Sequence, residues 1–214
     1  MIRKKITLDT NTYASNPGKI SFKPLVWVRH DLANVLTYIL PLLLSVFFSL
    51  FHSYFWLLIV LPLLLLNFYY WISIVEHYTA DSNLGVVISV DPPLVAVYTD
   101  LTKGIGSYPA IKIIEYRTSR KISLGSEVAT AATYRVYDEE SFLNSDEHLE
   151  YWVNFYPLPL DYATDDETEI ETALSSYPRG QKQLILATIR QISQPYRQGL
   201  YKVNIISSDW KTAH

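Results

Sequence analysis

The chain has no cysteine among its 214 residues. A disulfide scaffold, a cysteine-ligated zinc site and a cysteine nucleophile are excluded on that ground. Other signatures are missing as well. No G-x-S-x-G surrounds a serine, no H-E-x-x-H is formed by the five histidines (His30, His52, His77, His148 and His214), and no glycine-lysine spacing matches a P-loop. A further absence is regional. From Leu32 to Val75, 44 consecutive residues include no Asp, Glu, Lys or Arg. Apolar runs of 18 or more residues read as membrane spans, so the sequence excludes a purely soluble protein.

As one helix the uncharged run would extend about 66 Å, more than twice a hydrocarbon layer of roughly 30 Å. It divides at His52-Ser53-Tyr54 into Leu32–Phe51 and Phe55–Val75, 20 and 21 residues, joined tightly enough to form an antiparallel hairpin. The flanks orient it. The arm over residues 1–31 carries Arg3, Lys4, Lys5, Lys19, Lys23 and Arg29 against Asp9 and Asp31, a net charge of +4, and the connecting loop has no formal charge. Basic flanks stay inside, so both termini are expected in the cytoplasm, with His52 outside. Trp27 and Tyr69, Tyr70 and Trp71 mark one boundary, and Tyr54, Phe55 and Trp56 the other. An apolar segment that begins after 31 residues and runs this long fits a signal peptide poorly, so the hairpin is expected to be retained.

Within the spans, Asn34, Tyr38, Pro41, Ser45 and Ser49 follow a three-to-four spacing. Asn34, Pro41, Ser45 and Ser49, with Asn67 from the second span, are the expected helix-packing residues, since small and polar side chains permit close approach. Pro41 and Pro62 each lie in a Leu-Pro-Leu-Leu-Leu string and fall near the middle of the bilayer. Proline is ordinary in membrane helices, so no hinge is inferred. Charged residues inside a bilayer mark ion or proton pathways, and none is present. The hairpin therefore reads as an anchor, with homo-oligomerisation a further use of the same face.

Residues 76–214 carry 12 basic and 19 acidic side chains, a net charge of −7, which opposes binding of this part to nucleic acid or to an anionic membrane surface. The arm before the first span is basic and aromatic and would suit the headgroup layer, but a flanking anchor that only sets topology covers the same facts and is the favoured reading. Beyond the hairpin the pattern predicts strands over Gly85–Val90 and Val95–Thr99, divided by an Asp91-Pro92-Pro93 turn, then Ala110–Arg117, Thr130–Tyr137 and Glu150–Tyr156. Thr164-Asp165-Asp166-Glu167 matches a capping box opening a helix with Ile170, Ala173, Leu174 and Tyr177 on one stripe. A second helix is predicted over Gln181–Ser193, and a closing strand over Tyr201–Ile206. The expected fold class is an α+β membrane protein: a two-helix transmembrane hairpin, then a small sheet or open barrel with one or two C-terminal helices.

The loop Asp100–Pro109 is the candidate ligand site. Lys103, Gly104, Gly106 and Tyr108 offer a cation, two permissive backbones and a hydroxyl of the kind that cradles phosphate. A structural connection between strands is the plainer reading, since no P-loop spacing and no following helix are present. The acidic run Asp138, Glu139, Glu140, Asp146, Glu147, His148 and Glu150 lacks EF-hand spacing, and the carboxylates from Asp161 to Glu171 suit a helix N-terminus. His30 and His77 border the two spans on the same side, where a close pair would bind metal or sense pH; boundary residues without such a role are commoner, and that is the favoured reading. No catalytic set, metal site or cofactor is expected.

Asn83 to Tyr116, with its Asn-x-Gly-x-Val, Pro-Pro turn, Ala-Val-x-Thr-Asp-Leu, Gly and Tyr-Pro, resembles an uncharacterised bacterial family of unknown function. This chain has Asn83-Leu84-Gly85 where that family tends to have Asn-Pro-Gly. The resemblance implies bacterial origin and a shared small β-domain, and transfers no activity. The leading expectation is a non-enzymatic interaction or assembly module, anchored in the lipid bilayer and binding another protein. The alternatives are a ligand-binding or enzymatic domain using the 100–109 loop, and an accessory subunit of a larger membrane complex.

Overall fold

The computed structural model describes residues 20–103, 106–118, 120–135 and 151–204. The chain opens with a short helix, α1 (Pro24–His30), with proline at its start, where the missing N–H costs nothing. Two long helices follow, α2 (Leu32–Phe51) and α3 (Leu57–His77), joined through a 3-10 turn at Tyr54–Trp56. Both are long and apolar enough to cross a membrane, and little of either is buried. Pro41 and Pro62 lie inside helices that continue past them.

The seam between α2 and α3 repeats every three to four residues. Val35, Tyr38, Leu42, Ser45 and Ser49 are among the shielded positions of α2, and Trp56 of the 3-10 turn, then Val60, Leu63, Asn67, Tyr70 and Ile74 of α3, lie at matching intervals. That 3.5-residue repeat is the one that keeps two helices in register. Tyr38 stacks on Tyr70 with ring centroids 4.4 Å apart, and Phe48 on Trp56 at 5.1 Å.

The rest is α+β. Six strands, β1 (Asp81–Val90), β2 (Pro93–Asp100), β3 (Pro109–Glu115), β4 (Glu127–Arg135), β5 (Asn154–Pro159) and β6 (Gly199–Lys202), form one antiparallel sheet in the order β5-β4-β1-β2-β3-β6. The sheet curls until β3 meets β5, which three strands separate in that order. Lys112 Nζ on β3 donates to Asn154 Oδ1 at 2.9 Å and to the Phe155 carbonyl at 2.7 Å. Beyond β2, Trp152 N donates to the Leu101 carbonyl at 2.7 Å. Tight curvature needs a small residue at the centre of β1, and Gly85 supplies it: a Cβ there would stand 2.6 Å from Val95 Cγ1.

Two apolar clusters cover the sheet. Ile185 and Ile189 of α5 (Gln181–Ile189) pack with Leu84, Val86, Ala96, Ile111 and Ile113. The other cluster joins Val95, Val97, Phe155 and Leu160 to Trp27, Tyr70 and Tyr78, so it runs from the sheet into the base of the hairpin. The fourth helix, α4 (Glu167–Ser175), starts later than a Thr164 cap requires. Asp166 is the N-cap, accepting from the amides of Thr168 and Glu169. A carboxylate there interacts favourably with the helix dipole, and the chain follows it in preference to the threonine hydroxyl. The α5 helix ends at Ile189, short of Ser193.

Candidate functional site

The 100–109 loop is organised by a carboxylate. Asp100 Oδ1 accepts from the amides of Thr102 at 3.0 Å and Tyr108 at 2.8 Å, and Oδ2 accepts from the Ser107 hydroxyl at 2.9 Å. These donors are the ones a phosphate would need. Lys103 Nζ stands 5.0 Å from the centroid of the Trp152 ring, and Tyr108 packs on Tyr151 at 4.6 Å. Gly106 has φ +87°, the left-handed backbone that glycine tolerates. Gly104 lies outside the described residues, as do Asp138, Glu139, Glu140, Asp146, Glu147, His148, Glu150 and His214.

Of the expected helix-packing residues, Ser45, Ser49 and Asn67 are buried. Asn67 Nδ2 donates to the Tyr38 carbonyl on α2 at 2.8 Å and to the Leu63 carbonyl of its own helix at 2.9 Å. The serine hydroxyls donate to carbonyls one turn back, Leu42 and Val46, which satisfies both within their own helix. Asn34 and Pro41 are exposed and lie off the seam, with Asn34 Nδ2 donating to the Asp31 carboxylate. His30 and His77 engage different elements. His30 stacks on Tyr162 with centroids 3.5 Å apart, while His77 Nε2 lies 3.2 Å from the Ala131 carbonyl on β4. Among the described residues no three His, Asp or Glu side chains gather as a metal site requires.

The hairpin is built into the sheet domain by a joint of aromatic rings. Trp27 Nε1 of α1 donates to the Tyr70 hydroxyl of α3 at 2.8 Å, and both side chains are buried. Phe22 and Trp27 lie against Tyr78, whose hydroxyl donates to the Pro159 carbonyl. The segment before α1 runs along the start of α4. Lys23 N donates to the Ala163 carbonyl at 2.8 Å, the Lys23 ammonium pairs with Asp165, and the Ser21 amide and hydroxyl both donate to the Glu169 carboxylate. The Ser21 donors hold the Glu169 carboxyl below its ordinary pKa.

Next to this joint is a cleft of about 360 Å³ between α4 and the β3–β4 connection. Val87, Val128, Ala129, Ile122, Ile170 and Leu174 give it apolar lining, and Tyr116, Arg120, Lys121, Asp161, Glu167 and Glu171 are among its polar residues. The Tyr116 hydroxyl donates to Asp161 Oδ2 at 2.7 Å, and Tyr162, the next residue, accepts at 2.8 Å from the Arg117 amide. Asp161 Oδ1 is buried and receives no hydrogen bond from another described residue. Burial pushes the Asp161 carboxyl above the ordinary carboxylate range, against the pull of the Tyr116 hydrogen bond and the nearby Arg120. Sequence reasoning missed this cleft: Tyr116 and Asp161 stand 45 positions apart and belong to no motif.

No protein-family model matches the chain, and no curated protein matches it. Among solved structures it is similar to one from Corynebacterium diphtheriae described as a "putative membrane protein", at 16% identity and a TM-score of 0.45, over 57% of this chain and 99% of that one. At that score the likeness carries neither a fold assignment nor a function to this chain.

Proposed function

We propose that the chain is a membrane-anchored interaction module. In this reading α2 and α3 cross the inner membrane as an antiparallel hairpin with both termini in the cytoplasm. The acidic sheet domain is held at the inner face, where it binds another protein or assists assembly of a complex. The observation that supports it is the aromatic joint: Trp27, Tyr70 and Tyr78 are buried in one cluster that continues into the sheet, while the apolar side chains further along the hairpin remain exposed. Exposed Leu, Phe and Ile side chains on two adjacent helices are costly in water and suited to lipid. The +4 arm is the basis for the orientation.

Reporter fusions after Ser53 and at the C-terminus test the topology, with the first expected outside and the second in the cytoplasm. An extracytoplasmic C-terminus overturns the orientation. In-membrane crosslinking with quantitative mass spectrometry tests the interaction: a reproducible partner crosslinked to the sheet domain is expected, and a chain that crosslinks to nothing overturns that part. A phosphate-binding role for the 100–109 loop is disfavoured by Asp100, whose carboxylate takes up the amides of Thr102 and Tyr108.

A further inference from the structure

The lining of the cleft beside the joint carries both signs of charge. Arg120 and Lys121 come from the β3–β4 connection, Glu167 and Glu171 from α4, and Asp161 from the turn between β5 and α4. The Arg120–Glu167 pair across it is loose, at 3.8 Å, with the side chains 47% and 77% exposed. Pairs of that kind contribute little and yield readily to a ligand that answers each charge separately. Asp161 lines the cleft as well: Tyr116 serves Oδ2, and Oδ1, which has no other described donor, is closed to solvent, so a ligand donor reaches it once the side chain turns toward the cleft.

A ligand matched to this lining presents an anion to Arg120 and Lys121 and, a few atoms away, a cation that donates hydrogen bonds to carboxylates. A primary ammonium has three such donors, while a quaternary ammonium has none. The apolar lining accommodates carbon next to the charged groups. The position also narrows the source. Asp161 adjoins Tyr162, whose ring stacks on His30, two residues before the first residue of α2.

We propose that this cleft binds the phosphoethanolamine headgroup of a membrane lipid, with the phosphate on Arg120 and Lys121 and the ammonium among Asp161, Glu167 and Glu171. The lipid source rests on the bilayer reading of α2 and α3, whereas the chemistry of the cleft does not, and the two are tested separately. The full chain in detergent micelles is titrated calorimetrically with free O-phosphoethanolamine, phosphocholine and inorganic phosphate. The same chain in nanodiscs of equal phosphatidylethanolamine and phosphatidylglycerol is examined by native mass spectrometry for lipid that stays bound. Free O-phosphoethanolamine is expected to bind about tenfold more tightly than either control, and Arg120→Gln with Lys121→Gln to weaken it about tenfold. Asp161→Asn is expected to lower the preference for phosphoethanolamine over phosphocholine. Thermal melts by circular dichroism establish that each variant is folded, and Glu171→Gln serves where Asp161→Asn is not. Phosphatidylethanolamine is expected to be retained over phosphatidylglycerol. Equal binding of phosphocholine, or indifference to the Arg120 and Lys121 substitutions, overturns the site. Tight binding of the free headgroup without retention of the lipid overturns the lipid assignment and makes the ligand a soluble zwitterion.

Discussion

A methyl group on Gly85 would stand 2.6 Å from Val95 Cγ1 and 3.2 Å from the Val128 carbonyl oxygen, in a part of the sheet where Val95 is fully buried. Neither neighbour is the free end of a flexible side chain, so the strands must move apart. Gly85→Ala is expected to destabilise the chain by about 1–3 kcal/mol, and Val95→Ala in the same chain to restore part of the loss, as denaturant melts of the two single and one double variant would report. His30 is the other residue whose surroundings decide its behaviour. Burial against Tyr162 lowers its pKa; Asp31 and Asp161 oppose the shift and Arg117 adds to it. In the unfolded chain His30 takes up a proton as pH falls through its ordinary value, about 6.5, while the folded chain resists. The stability this contributes is present above that value and is lost as pH falls below it. His30→Phe retains a ring to stack on Tyr162 and is expected to flatten the decline of Tm between about pH 7 and 5 relative to the unsubstituted chain.

Among the elements, α4 depends most on a single side chain. Asp166 caps it, and three residues on, Glu169 turns its carboxylate to Ser21 and Thr164. Asp166→Ala is expected to cost about 1 kcal/mol in a thermal or denaturant melt and to speed amide exchange at Thr168 and Glu169. The sequence pointed two residues too early because Thr164 and Asp166 both have the chemistry of a cap, and only packing chooses between them: Thr164 is fully buried, and its hydroxyl accepts from the Asp166 amide. The long helices were the most legible elements, since 44 residues without charge admit few other readings. Their seam was harder to read. Selecting polar residues drew attention to Asn34 and Pro41, whereas the shielded positions include Val35 and Leu42, which are indistinguishable by composition from the leucines and valines facing outward.

At the scale of the molecule, the curl of the sheet is fastened by Lys112. Its ammonium bonds Asn154 and Phe155 and lies 4.0 Å from the centroid of the Tyr156 ring, joining β3 to β5. Lys112→Met keeps the length of the stem and removes the donors. It is expected to lower stability by about 1–3 kcal/mol and to raise hydrogen exchange selectively over Asn154–Pro159. A small sheet or open barrel with helices was legible in the β-branched run Val95–Thr99 and the alternation of Ala110–Arg117, but the contact that fastens it was not, because a lysine in a strand gives no sign of which backbone it will reach. The cleft was illegible for a similar reason. It draws on β1, the β3–β4 connection, β4, the turn after β5 and α4, and is defined by the curl that brings them together.

Besides the aromatic joint, the hairpin and the sheet domain are attached at two further places among the described residues. One is the covalent passage from His77 to Asp81, and the other is the run from Ser21 to Lys23 along the start of α4, continued by the ring of His30 on Tyr162. A body hung from one pivot swings freely; one mounted at two separated points does not. Any tilt of α2 and α3 must therefore be transmitted as torque, turning the whole sheet through the same angle unless the Ser21–Glu169 and Lys23–Asp165 links give way first. Those links are exposed and polar while the joint around Trp27 is buried and aromatic, so under load the mount has a weak point and a strong one.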